Sequence, residues 1–274
     1  TELSPDIEQL PCDLITAKDY SDALVDVDTV IHIASRVHQF DQNGKAALNE
    51  YRCANTEVTR RLAEEAASKG VRRFIYISTI KVNGEKTSVL DNGQYQRFTE
   101  TDTPAPEDPY AISKYEAEEA LKGLCDNSEM EYVILRPPLI YGPWVKANFL
   151  RLIATINKGI PLPLASVRNC RSLMYVENLS QIIECCIKHP GAANRLFLVS
   201  DYDTSLPDLV RRIGNLLGKR LPLLPCPVTL LKFAGLITGK QAVIRRLTES
   251  LVIDNSRVKA ALSWEPAFSL EDGL

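Results

Sequence analysis

Tyr110 and Lys114 stand four residues apart in DPYAISK, and no other tyrosine of the chain has a lysine at that spacing. On a helix this places a phenol and an ammonium on one face, one turn apart, so the cation can draw the phenol below its free pKa of roughly 10. Such a pair moves protons. Upstream, the apolar run RRFIYIS ends in two adjacent hydroxyls, Ser78 and Thr79. Alone, a Tyr-x-x-x-Lys pattern more often marks a solvated helix face. The hydroxyl-tipped strand before it, and Pro109 at the helix entry, make the combination more informative.

The elements that must hold these groups can be read around them. Asp13 and Leu14 end a short strand, residues 16–27 read as a helix with Thr16 as its N-cap, and residues 28–34 read as a buried parallel strand. Helical spacing over 46–69 stops at Gly70, and a polar, breaker-rich loop fills 85–108 ahead of the Tyr110 helix. Beyond MEYVILRPPLIYG the pattern continues as the helix KANFLRLIATINKG, the strand at RSLMY, the apolar helix LSQIIECCIKH, the strand RLFLVSD and the helix SLPDLVRRIGNLLGK. Strands alternating with helices predict an α/β fold on a parallel sheet.

Five segments occur in a telling order: VIHIAS at 30–35, YISTIKVNG at 76–84, PYAISK at 109–114, LRPPLIYGP at 135–143 and RSLMYVENL at 171–179. Together they resemble the extended short-chain dehydrogenase/reductase family, in its branch of NAD-dependent nucleotide-sugar epimerases and dehydratases. UDP-glucose 4-epimerase-like enzymes of polysaccharide loci are the nearest in motif. The resemblance implies a Rossmann-like doubly wound parallel sheet with a smaller C-terminal substrate-binding lobe. Residues 1–143 would form the dinucleotide-binding domain and 144–274 mainly the substrate lobe, with about 171–190 returning to the first domain. The family's first strand and Gly-rich turn have no match, since no glycine precedes Gly44. The dinucleotide-binding domain is therefore expected to be N-terminally incomplete by roughly one βαβ unit of about 30 or more residues.

By the same resemblance, Thr79, Tyr110 and Lys114 are the catalytic residues. Tyr110 would be the acid or base at a sugar oxygen, Lys114 its tuner and a ribose ligand, and Thr79 a hydrogen bond to that oxygen. Thr79 is preferred to Ser78 because the family's hydroxyl lies five residues before the motif glycine, here Gly84. Asp13 and Leu14 near the adenine, then Ala34, Ser35, Arg36, Ser78 and Pro137, would line the cofactor, with Asn55 propping the active-site strand. Lys81, Asn148, Phe149, Arg171 and Arg246 would meet the substrate. Without the resemblance, Asp13 reads equally as a turn residue, Lys81 as a cation facing water, and Arg245 and Arg246 as a solvated pair. Asn83 departs from the family, which often has a tyrosine there.

The implied cofactor is NAD, with NADP left open, and the implied substrate is a nucleotide sugar, UDP-linked. A UDP-hexose 4-epimerase is the first reading. An NAD(P)H-dependent 4-keto reductase of a UDP-6-deoxyhexose or its amine, serving surface polysaccharide synthesis, is the second. A non-catalytic dinucleotide-sensing or scaffold protein is the alternative of another class. The family also implies a homodimer through the helix following the Asn55 region and the Tyr110 helix.

Composition bounds the remaining partners. The 274 residues carry a net charge of only −3, which gives no field for nucleic acid or an anionic membrane, and neither is expected as a partner. Seven cysteines show no C-x-x-C spacing and the three histidines are scattered, so no metal site is expected and reduced thiols in the cytoplasm are. The stretch LPLLPCPVTLLKFAGLI, broken by prolines and a lysine, reads as a core or lobe-contact segment, with a membrane-facing helix as the lesser alternative.

Overall fold

Along the strand β2 (Arg73–Ile77) side chains alternate between two apolar environments, and all five residues are buried. Phe74 and Tyr76 point into one cluster, Ile75 and Ile77 into another. A strand covered on both faces is what a parallel sheet between two helical layers requires. The computed structural model describes residues 7–17, 19–37, 45–219 and 221–274. In it β2 lies between β1 (Thr29–His32) and β3 (Glu131–Arg136), and β6 (Arg195–Leu198) completes a four-stranded parallel sheet in the order β1-β2-β3-β6. Among the described residues β1 is the edge of that sheet, with Ile31 and Ile33 exposed.

One face of the sheet is covered by α2 (Val58–Ser68) and α3 (Pro109–Cys125), whose Ala63, Ala66, Ala117 and Leu121 meet Phe74, Tyr76 and Ile134. Small residues on α2 let the helix lie close. The other face is covered by α5 (Val176–Lys188) and α9 (Ser256–Leu262), through Leu179, Ile182, Val258 and Leu262. A second core gathers β4 (Leu139–Tyr141), β5 (Arg171–Tyr175), α4 (Ala147–Asn157) and α6 (Leu206–Leu216) around Tyr141, Phe149, Leu173 and Val210. Here β4 pairs parallel and β7 (Tyr202–Thr204) antiparallel with β5. Segments of 171–274 thus alternate between the two cores.

The stretch expected as one helix over 46–69 is three pieces: α1 (Lys45–Tyr51), a π-helical segment (Arg52–Glu57) and α2. Two expectations near the start fail. Asp13 and Leu14 do not end a strand; Asp13 accepts from Ile15 N at 3.0 Å and from the Thr16 hydroxyl at 3.0 Å, forming a local turn. Thr16 caps no helix, and the expected helix shrinks to a 3-10 turn, Ser21–Leu24. The reason is tertiary: Arg61 on α2 donates to the carbonyls of Leu14 and Ala17 at 3.0 and 2.8 Å, so these carbonyls serve the neighbouring helix instead of a ladder of their own.

The polar loop 85–108 is anchored along its length. Thr87 N donates to Ser250 O at 2.8 Å, Phe98 N to Val252 O at 2.8 Å, and Leu198 N to Glu100 Oε1 at 3.0 Å. It therefore forms a fixed wall beside β6. Gly84 opens it at φ 145°, where an added Cβ would stand 3.1 Å from the Phe98 ring, so glycine is required by both backbone and space.

His32 ends β1 fully buried, with Nε2 3.0 Å from Thr59 Oγ1 and its ring stacked 5.7 Å from Tyr76. The Thr59 hydroxyl spends its proton on Asn55 O at 2.6 Å, so Nε2 is the donor of the pair. Burial, helped by the Lys114 charge, lowers the imidazole to about 4 from 6.5. Above pH 6.5 it is neutral whether folded or unfolded; below that only the unfolded chain takes up the proton. Stability is thus expected to fall between pH 6.5 and about 4, by up to about 3 kcal/mol from this residue. His32→Asn should flatten that limb of a urea-denaturation series against pH, and an unchanged limb would remove His32 from the account.

Candidate active site

Asp108 caps α3: its Oδ1 accepts from Ala111 N at 2.7 Å, and Pro109 takes the first helical position, where its missing N–H is harmless. The cap is itself held. Lys81 Nζ donates to Asp108 Oδ2 and to Glu85 Oε1, both at 2.6 Å, tying the loop after β2 to the start of α3. Thr79 caps the short 3-10 turn Ile80–Val82 by accepting from Lys81 N, and lies at the carboxyl end of β2. From Asp108 onward, Tyr110, Lys114 and Glu118 recur every four residues on the inward face. Lys114 and Glu118 are fully buried, and Tyr110 is half-buried at the open end.

Beneath this face lies a buried ion pair that sequence reasoning missed. Arg136, last residue of β3, donates to Glu118 through Nε at 2.9 Å and a terminal nitrogen at 2.5 Å. Its other nitrogen donates to Asn83 Oδ1 at 2.8 Å, and Asn83 Nδ2 donates to Thr99 O at 3.0 Å. The Ser78 hydroxyl donates to Glu118 as well. Two charges taken fully out of water persist only with this degree of satisfaction. The available signal was an arginine ending the run YVIL and a glutamate one turn beyond Lys114.

The electrostatics reverse one expectation. Burial raises Tyr110 to about 12, partly offset by a hydrogen bond with Ser35, and burial lowers Lys114 to about 7 against the opposing pull of Glu118. Lys114 does not lower the phenol here, because it is itself desolvated and its Nζ sits 4.1 Å from the centre of the Tyr76 ring. Tyr110 therefore keeps its proton at neutral pH, as a proton donor must. Lys114 titrates close to neutrality, so its charge is responsive to what lies beside it.

The remaining predicted residues are placed as follows. Ser35 bonds Tyr110, and Ala34 beside it is exposed. Arg36 N donates to Asn55 Oδ1 at 2.7 Å, while Asn55 Nδ2 donates to Arg36 O at 3.2 Å and Ser113 Oγ at 2.9 Å. Asn55 thus joins the segment after β1 to α3. Pro137 is buried, and its carbonyl accepts from Ile80 N at 3.0 Å. Ser78, expected beside the cofactor, turns its hydroxyl inward to Glu118, so it supports the site from below. Asp13 and Leu14 stand in the turn already described. In the second lobe Asn148 is exposed at the start of α4, but Phe149 belongs to the apolar core, its ring 6.0 Å from that of Tyr141. Arg171 donates weakly to the carbonyls of Arg246 and Glu249, at 3.4 and 3.3 Å, so two of the residues expected to meet the substrate come together near Glu85. Lys81, expected to meet an anion or water, is held by its two carboxylates.

A Tyr-Lys helix that packs on one face of a parallel, doubly covered sheet and starts at the carboxyl ends of its strands, with a second core beside it, defines a Rossmann-like short-chain dehydrogenase/reductase. Residues 3–199 match the NAD dependent epimerase/dehydratase family. The chain belongs to that family. It is 43% identical over 264 residues to the UDP-glucose 4-epimerase of Vibrio cholerae, covering 96% of this chain and 79% of that protein. It is 26% identical to the N-acetyl-alpha-D-glucosaminyl-diphospho-ditrans,octacis-undecaprenol 4-epimerase of Escherichia coli O157:H7, covering 98% and 82%. The fold matches the UDP-glucuronic acid 4-epimerase of Bacillus cereus, solved in complex with NAD, with a TM-score of 0.75 at 22% identity over 95% of this chain and 76% of that one.

Proposed function

We propose that the protein is an NAD-dependent nucleotide-sugar 4-epimerase whose substrate is a UDP-linked hexose. The observation that carries this reading is Tyr110 standing over Lys114 on one buried helix face, with Ser35 bonded to the phenol, at the carboxyl ends of β1 to β3. Ligands of open α/β sheets bind at that edge. The residues fit the nicotinamide end of NAD: a half-buried phenol bonded to Ser35, a buried, titratable ammonium one helical turn along α3, and Ile33 and Ala34 exposed just after β1. When bound, NAD supplies reversible redox chemistry at a sugar carbon. Tyr110 would move the proton at the sugar oxygen, Thr79 would hydrogen-bond that oxygen, and Lys114 would hold the ribose. Arg171 and Arg246 are the paired cations available to a diphosphate. The Vibrio cholerae relative supports the UDP-sugar and the reaction type. A homodimer acting in the cytoplasm completes the reading; among the described residues no helix is long and apolar enough to cross a membrane.

The test is to incubate the protein with UDP-hexoses, with and without added NADH or NADPH, and to separate the sugars. Epimer formed without net consumption of cofactor is the expected result. Reduced sugar formed with oxidation of NAD(P)H would assign the 4-keto reductase instead. Cofactor binding with neither product would leave a dinucleotide sensor.

A further inference from the structure

The expectation of no membrane partner rests on the whole-chain charge, and that charge is unevenly placed. Residues 209–248 contain eight Lys and Arg and no Asp or Glu. Since the whole chain has 32 of the former and 35 of the latter, the other 234 residues carry a net −11. The acid-free stretch includes α7 (Val228–Ile237), which packs against α8 (Gln241–Thr248). The packing is close: a Cβ on Gly235 would stand 2.7 Å from Ile244 Cγ1. Leu231 and Gly235 are the buried positions of α7.

The opposite face is uncovered. Leu230, Phe233 and Ile237 follow i, i+3, i+7 spacing, Leu236 lies beside them, and they are 56, 59, 70 and 58% exposed. The segment expected to be core or a lobe contact is thus only half so. Four large apolar side chains on one surface face mark a contact site. Lys232 and Lys240 flank it, exposed, and among the described residues neither is ion-paired.

We propose that the outer face of α7 docks on an anionic lipid surface, lying in the interface with Leu230, Phe233, Leu236 and Ile237 inserted and Lys232 and Lys240 at the headgroups. An interfacial helix combines this kind of apolar face with basic flanks. Arg212 and Arg245 of this stretch are ion-paired with acids outside it, which leaves Lys232 and Lys240 as the cations beside the face. A second copy is the weaker occupant, because a two-fold contact would bring these lysines up against those of the partner copy. Docking would also bring the substrate lobe to the membrane, since α8 carries Arg246.

Flotation with vesicles of pure phosphatidylcholine, and of phosphatidylcholine with roughly a third phosphatidylglycerol, tests this directly. Retention on the anionic vesicles should exceed that on neutral ones by roughly tenfold or more and weaken with salt. Phe233→Ser with Ile237→Ser, and separately Lys232→Glu with Lys240→Glu, should each cut retention by about tenfold. Thermal midpoints should stay unchanged, as all four side chains are exposed. Absence of flotation on both vesicles, or retention unaffected by both pairs, overturns the proposal. So does a doubled mass in light scattering that Phe233→Ser with Ile237→Ser abolishes, which would give the face to a second copy.

Discussion

Tyr110→Phe is expected to lower turnover by about two to four orders of magnitude while leaving nucleotide binding nearly intact. The change removes one oxygen from a half-buried ring that otherwise packs edge-on to Tyr51 at 6.2 Å. Folding has little to lose, since the Ser35 hydroxyl that bonds the phenol is itself only half-buried. The measurement is steady-state turnover beside a nucleotide-binding isotherm and a thermal melt. A variant with unchanged turnover would take Tyr110 out of proton transfer. A variant that fails to bind nucleotide would make the phenol a binding group.

Arg136→Met is expected to have the largest effect on stability, about 3–5 kcal/mol, because it leaves the Glu118 carboxylate in a dry interior with Ser78 as its one remaining side-chain hydrogen bond among the described residues. For a chain of this length that corresponds to a fall in Tm of roughly 5–9 °C. The charge argument has its own control: Arg136→Met combined with Glu118→Leu removes both ions and should recover most of the loss. If the single variant costs under about 1 kcal/mol, or the double variant is no better than the single, the pair is not the structural tie between β3 and α3 inferred here.

How far the sequence could be read depended on the distance over which each feature is decided. Tyr110 with Lys114, Pro109 at the helix entry and Thr79 before Gly84 are local spacings, so they were legible. The strand alternation of RFIYI was legible because both faces must be apolar. Arg136 with Glu118 and Asn83 was not, since these partners lie 18 and 53 residues apart and meet only when β3 lies beside α3. The failed strand and helix near Asp13 have the same cause, an arginine 44 to 47 residues away that claims their carbonyls. The pKa of Tyr110 was misjudged because spacing reveals a neighbouring charge but not its desolvation. That Phe149 joins the apolar core was not legible, because its position in the pattern says nothing about which way α4 turns its side chains.

The π-helical segment between α1 and α2 bears on how this site can change. Ala47, Tyr51, Asn55, Thr59 and Ala63 are all buried and recur at every fourth residue. On an ordinary helix such a stripe winds around the axis by about 40° per step. The wider turn at Arg52–Glu57 takes up that drift, acting as a phase correction that keeps Asn55 on Ser113 and Thr59 on His32 while Ala63 still faces the sheet. A one-residue deletion there would rotate everything beyond it, so this segment should tolerate substitutions of residue type far better than changes of length.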